Sequence, residues 1–189
     1  MKKLHILFAI MITAGVAGAQ TWSVDKSHAK LGFGVTHLLL SEVEGSFTSF
    51  DSKITSSKED FSDATIELTA DVKSINTGIT DRDTHLKSPD FFDAEKFPTL
   101  TFKSKSIKKA EGKKYIVTGD LTLHGVTKPV TLDVTLNGTG VHPYTKKTVA
   151  GFKITGTIKR ADFTVGPTFG AATISEEVAI TANAEFIKD

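Results

Sequence analysis

Residues 64–73 read ATIELTADVK. Ala64, Ile66, Leu68, Ala70 and Val72 alternate with Thr65, Glu67, Thr69, Asp71 and Lys73. Successive side chains of a strand point to opposite faces, whereas apolar residues of an amphipathic helix recur every third or fourth position. The stretch therefore reads as a half-buried β-strand. The same period runs outward in both directions. Upstream, Ala29, Leu31, Phe33, Val35 and His37 share one face of a long strand, with His28, Lys30, Gly32, Gly34 and Thr36 on the other. Leu38-Leu39-Leu40 forms a bend or connection, Val43 to Ile54 is the next strand, with Gly45, Phe47 and Phe50, and Ser56 to Asp60 is a polar loop.

Downstream, Leu100 and Phe102 begin a strand ending near Ile107, and Glu111-Gly112-Lys113 turns it into Tyr115, Val117, Gly119, Leu121 and Leu123. His124-Gly125 turns the chain again into Val130, Leu132, Val134 and Leu136. Asn137-Gly138 and Gly140 then begin a loose connection through His142-Pro143-Tyr144. Phe152, Ile154, Gly156 and Ile158 make one more strand, and Val178, Ile180, Ala182, Ala184 and Phe186 the last. About eight strands joined by short turns give an all-β, antiparallel domain, and eight is the number at which a closed barrel either fills itself or holds one small ligand. Small inward residues (Gly119, Gly151 or Gly156, Ala182, Ala184) fit either a cavity or the relief of crowding at strand bends. Spacing alone leaves both open.

The β rhythm stops at 79–102, ITDRDTHLKSPDFFDAEKFPTLTF. A short helical insertion is expected around residues 78–96, with Ser88-Pro89-Asp90 opening a helical unit as cap, first-turn proline and dipole-matched acid. Arg82, Asp83, His85 and Lys87 crowd before it. They either tie the insertion to the strands or meet a polar head group at a cavity mouth. Phe91, Phe92 and Phe97 read as an apolar cap at the barrel end. Asp81, Asp83 and His85 are three candidate metal ligands within five residues, but further strong ligands are lacking nearby, since His28, His37 and His124 lie on separate segments. No metal is expected. G-x-S-x-G, the P-loop, G-x-G-x-x-G and H-E-x-x-H are absent from the chain, so no catalytic residue is assigned. The alternative is an exported hydrolase or lipid-modifying enzyme built on the Asp83/His85 cluster.

The first residues, MKKLHILFAIMITAGVAGAQ, combine Lys2 and Lys3, an apolar run from Leu4 to Val16, and Ala17-Gly18-Ala19 before Gln20. That is a secretory signal with an A-x-A cleavage site, too short to span a bilayer. Residues 1–19 are expected to be removed, leaving 20–189 as one domain with no membrane segment, periplasmic or secreted. The chain has 23 basic and 22 acidic residues. The leader holds two of the basic ones and no acid, so the remainder carries 21 against 22, a net −1. This balance speaks against nucleic acid as a partner. Cysteine is absent, which removes disulfides, thiolate chemistry and a lipid-anchored N-terminus.

Several motifs recur in one order: Asp25-Lys26-Ser27-His28, Val35-Thr36-His37, Gly45-Ser46-Phe47, Ser74-Ile75-Asn76-Thr77, Arg82 to Ser88 (RDTHLKS), Phe91-Phe92-Asp93, Phe97-Pro98, Thr101-Phe102-Lys103-Ser104, Gly119 to Val130 (GDLTLHGVTKPV), and Arg160-Ala161-Asp162-Phe163. Together they resemble the YceI family of exported, lipocalin-like proteins over the whole mature chain. Two departures stand out. Asn76 replaces a common Asp, and Ala161 and Thr164 stand where the family has Ser and Gly, so the backbone after Phe163 is expected to differ.

The resemblance implies an eight-stranded antiparallel lipocalin-like barrel that holds a long isoprenoid chain, such as a polyprenyl lipid or prenylated quinone. It decides the cavity question for a hollow barrel. By alternation the ligand tail meets Phe33, Val35, Phe47, Leu68, Phe102, Leu121, Leu132, Val134, Phe152, Ile154 and Ile180. Arg82, Asp83, His85, Phe91, Phe92 and Phe97 form the mouth or cap. No cofactor is expected beyond the bound isoprenoid lipid, and a homodimer is left open.

Overall fold

A computed structural model describes residues 18–189. The leader falls almost wholly outside the described residues. The chain runs as β1 (Gln20–His37), β2 (Ser41–Phe47), β3 (Phe50–Ser56), β4 (Thr65–Asp71), β5 (Ile75–Asn76), α1 (Thr80–Lys87), β6 (Thr99–Lys109), β7 (Lys114–Leu123), β8 (Val126–Val141), β9 (Thr148–Lys159) and β10 (Glu177–Lys188). Neighbouring strands pair antiparallel in the order β10-β9-β8-β7-β6-β4-β3-β1-β2-β5, and β10 also pairs with β1. That last pairing closes the sheet, so no long edge is left to recruit another chain.

β1 makes the closure possible. Its first residues pair with β3 (Trp22↔Ile54) and its second half with β2 (Phe33↔Gly45), while both halves pair with β10. β2 and β3 are thus one barrel strand broken at Thr48-Ser49, and the barrel has eight strands. The continuous strand expected from Val43 to Ile54 splits there because the Thr48 N–H and hydroxyl donate to the Ser74 carbonyl and the Ser49 N–H donates to the Ser74 hydroxyl. Between Val24 and Ala29, β1 also bulges, with Asp25–His28 set against Glu185.

Because consecutive strands alternate in direction, the connections sort into two ends. One end carries the β1–β2 hairpin, the insertion with α1, the His124-Gly125 turn and residues 160–176. The other carries the 57–64 loop, the 110–113 turn and the β8–β9 hairpin.

Two details differ from expectation. β8 runs through Asn137-Gly138 as far as Val141, absorbing Asn137 as a bulge opposite β9; a bulge adds a residue without ending the ladder. The insertion's helix is Thr80–Lys87, ahead of Ser88-Pro89, and residues 88–97 form turns. Ser88 is the C-cap with ψ 169°, the extended conformation that a following proline imposes. The helix buries none of its residues and has no side-chain N-cap. Polar contacts fix it instead: the Thr77 N–H and hydroxyl donate to Asp83 Oδ1 (2.8 and 2.6 Å), and Arg82 donates to the Thr77 hydroxyl and carbonyl (2.7 and 2.8 Å).

Candidate functional site

The inward faces of the eight strands enclose a cavity of ≈ 470 Å³. That is within the ~300–1,000 Å³ common for ligand sites. All eleven residues assigned by alternation to the ligand tail line it: Phe33, Val35, Phe47, Leu68, Phe102, Leu121, Leu132, Val134, Phe152, Ile154 and Ile180. Ala182 and Ala184 line it as well.

The inward glycines act differently from simple gaps. A Cβ at Gly119 would stand 2.5 Å from the Phe102 ring, one at Gly156 would stand 2.6 Å from Leu132, and one at Gly45 would collide with Phe33. Each glycine is a shelf on which a large neighbour lies flat along the wall, leaving the lumen clear. Gly151 does not contribute, since a Cβ there would meet only Asn137.

One end of the cavity is shut. Phe61, in the 57–64 loop, is almost fully buried and packs edge-on against Trp22 and Phe152, both at 5.1 Å, with Phe152 edge-on to Phe186. It takes a left-handed backbone (φ 58°) to get there. The loop that carries it is clamped by two carboxylates. Asp63 accepts from Ser56, Ser57 and the Lys58 N–H, which hold its carboxyl well below the usual range. Asp60 is lowered to about 2, first by the Lys109 ammonium and then by Ser62. The buried Tyr115 hydroxyl donates to the Asp60 carbonyl, and desolvation raises its pKa. Sequence reasoning ended its polar loop at Asp60 and missed the plug; the available signal was one aromatic residue inside S-S-K-E-D-F-S-D.

The opposite end is partly open. Half-buried or exposed lining residues gather there: Val35, His37, Val43, Thr77, Arg82, His85 and Thr173. Arg82 both braces the insertion through Thr77 and borders the cavity, so bracing and facing a ligand are not exclusive. Its Nη1 makes no hydrogen bond among the described residues. His85 borders the cavity too, with Nε2 3.1 Å from Asp90 and its ring edge-on to Phe91 and Phe169. Asp83 faces Thr77 instead of the cavity, so Asp83 and His85 do not form a dyad. Phe91 and Phe92 line the cavity, Phe91 stacked on Phe169 at 4.8 Å.

Phe97 is a correction. It lies outside the lining, 4.6 Å edge-on to His124 and against Gly125, because Asp93 turns the chain with φ 45° and the Asp93 carbonyl accepts from the Phe97 N–H.

The segment 160–176 completes this end, and sequence reading assigned it no role. Arg160 is buried, and its guanidinium donates to the carbonyls of Ser175, Val165, Gly166, Phe169 and Ile174 and to Glu176 Oε1. One side chain thereby folds a whole connection over the barrel and presents Phe169, Thr173 and Ile174 to the cavity. Thr164 takes φ 55°, the conformation that suits a glycine, and its hydroxyl lies 3.0 Å from His124 Nδ1. A side chain is thus accommodated at this position on a left-handed backbone.

Asp81, Asp83 and His85 do not converge. The group of possible metal ligands found among the described residues is Asp25, His28 and Glu185, whose ligand atoms lie within 4.8 Å of one another. Its evident role is in the β1 bulge: Asp25 accepts from the Ser27 N–H and pairs with His28 Nδ1 at 2.9 Å. That bond lowers the Asp25 pKa and raises that of His28.

The YceI-like domain model matches residues 22–186. The protein YceI of Escherichia coli O6:H1 is 40% identical over 193 residues, spanning 100% of this chain and 99% of the relative. The crystal structure of a Campylobacter jejuni YceI protein is 31% identical with a TM-score of 0.74, covering 82% of this chain and 90% of that one. A polyisoprenoid-binding domain from Saccharophagus degradans has the same fold at 18% identity, with a TM-score of 0.63, and covers 89% of this chain and 98% of its own. The chain belongs to the YceI-like domain family.

Proposed function

From that membership we propose that the barrel is an exported binding site for a long-chain isoprenoid, a polyprenyl lipid or prenyl quinone, which it carries, stores or sequesters. The observation that carries the reading is the ≈ 470 Å³ cavity with almost entirely apolar walls, shut at the Phe61 end and bordered by polar groups at the other. Each methylene removed from water contributes ~0.8 kcal/mol. An apolar tunnel of this kind therefore binds a tail without directional contacts and distinguishes poorly among tails of similar girth. Specificity falls to the mouth, where Arg82 Nη1 is free to donate to a quinone carbonyl or phosphate oxygen. The shared fold with a polyisoprenoid-binding domain supports the choice of ligand class.

Binding rather than catalysis also fits the geometry, since Asp83 is committed to Thr77 and His85 to Asp90. Export rests on the leader sequence. The test is native mass spectrometry of the protein purified from its producing cells, followed by organic extraction. A bound isoprenoid is expected. A barrel that emerges empty and fails to take up a prenyl quinone from detergent micelles would sink the reading.

A further inference from the structure

We infer that the β1–β2 hairpin is a membrane-docking tip that seats the cavity mouth on a lipid bilayer; this rests on the lipid-binding reading above. Leu38, Leu39 and Leu40 are 49, 70 and 85% exposed. Leu38 and Leu39 have φ of 52° and 58°, and the Leu40 N–H donates back to the His37 carbonyl. Two consecutive left-handed residues in a tight hairpin make the turn that Asn-Gly adopts without strain and leucine adopts at a cost. Three solvated leucines, two of them in a disfavoured conformation, contribute nothing to the fold that a polar turn would not contribute better.

The place of the tip says what covers it. His37, next in the chain, lines the cavity, as do Val35, Thr173 and Ile174, and the tip is bonded to that rim through the Leu38 N–H and Thr173 carbonyl. Ile79, 53% exposed, begins the helix whose Arg82 borders the same mouth. Residues 33–41 and 163–175, which carry these rim residues, contain no Lys, Arg, Asp or Glu. Beside the polar Arg82 and His85 of the mouth, this uncharged stretch, continuous with an apolar cavity, complements the uncharged hydrocarbon boundary of a bilayer. Seated there, the mouth lets a tail pass from membrane to barrel without crossing water. The exposed Val141 and Tyr144 lie at the closed end and serve as a control.

The experiment uses the protein purified from its producing cells, with the double variant Leu38→Asn/Leu39→Gly and the control Tyr144→Ser. Flotation with phosphatidylcholine vesicles and transfer of a prenyl quinone from those vesicles are both measured. Asn-Gly suits the turn, so the double variant is expected to melt no lower than the parent. It is expected to lose vesicle binding and transfer by roughly tenfold or more. Tyr144→Ser should change neither, and binding by the parent should be insensitive to salt.

Uptake of the same quinone from detergent micelles should be equal in all three. Failure of that uptake in a parent that also emerges empty condemns the lipid-binding reading, whereas flotation reads the docking tip by itself. Unchanged flotation and transfer in the double variant overturns the inference. So does conversion of a dimer to a monomer with flotation unaffected, which would make the tip a contact between two copies.

Discussion

The two ends of the barrel solve opposite problems. At the closed end, Phe61 adopts a left-handed backbone and is rewarded by near-complete burial among Trp22, Phe152 and Phe186. At the open end, Leu38 and Leu39 adopt the same backbone and remain in water. Strain repaid by packing belongs to the fold. Strain left unpaid in solvent points to a contact made with something else.

Substitutions should separate the ends by size of effect. Arg160→Ala removes the guanidinium that holds five carbonyls of the 160–176 connection and leaves Glu176 without its partner. A loss of about 3–5 kcal/mol in urea unfolding is expected, as for breaking a buried pair. Phe61→Ala should cost a similar ~3–5 kcal/mol by opening a void at the closed end. Leu40→Ala at the open tip should stay within ~0.5 kcal/mol. Equal costs for Phe61→Ala and Leu40→Ala would erase the distinction.

Between the ends, Gly119→Ala should lift Phe102 off the wall. A destabilisation of about 1–3 kcal/mol is expected, together with reduced uptake of prenyl quinone from micelles. Full uptake in that variant would show that the glycine shelf does not keep the lumen clear. Thr164→Gly should relax the left-handed residue beside His124, but glycine's greater unfolded-state entropy and the lost hydroxyl contact oppose that gain, so stability is expected to stay within about 0.5 kcal/mol of the parent.

The smallest effect is in pH. The His28 pKa is raised by Asp25, so its contribution is complete below 6.5 and fades as pH rises through the raised value. The Asp25 pKa is lowered by His28, so its contribution is complete above 3.8 and fades as pH falls through the lowered value. The pair therefore supports the β1 bulge best between those two figures. The melting temperature of the parent minus that of Asp25→Asn should be larger at about pH 5.5 than at about pH 8.5. A difference that grows toward alkaline pH would contradict the pairing.

Much of the wall was legible in the sequence because a strand's period of two forces alternate residues to one face. All eleven wall positions followed from that rule once inward was distinguished from outward, and residues such as Ala64 to Val72 make the distinction plain. The ends were less legible. Phe97 sits among Phe91 and Phe92 in the sequence, yet the turn at Asp93 carries it to His124. Phe61 and Arg160 lie in connections, where no periodicity tells a solvated side chain from a buried one.

The sequence by itself determined an antiparallel barrel of about eight strands, which residues face inward, and an interruption at 79–102. It did so because alternation and turn residues are local properties of the chain. Only the tertiary structure decided which end is shut, that the inward glycines hold Phe33, Phe102 and Leu132 against the wall, and that one arginine folds the last connection over the rim. Those outcomes depend on contacts between residues far apart in the chain, as Phe61 with Phe152 or Gly45 with Phe33, and no local pattern encodes which of two possible neighbours a side chain will meet.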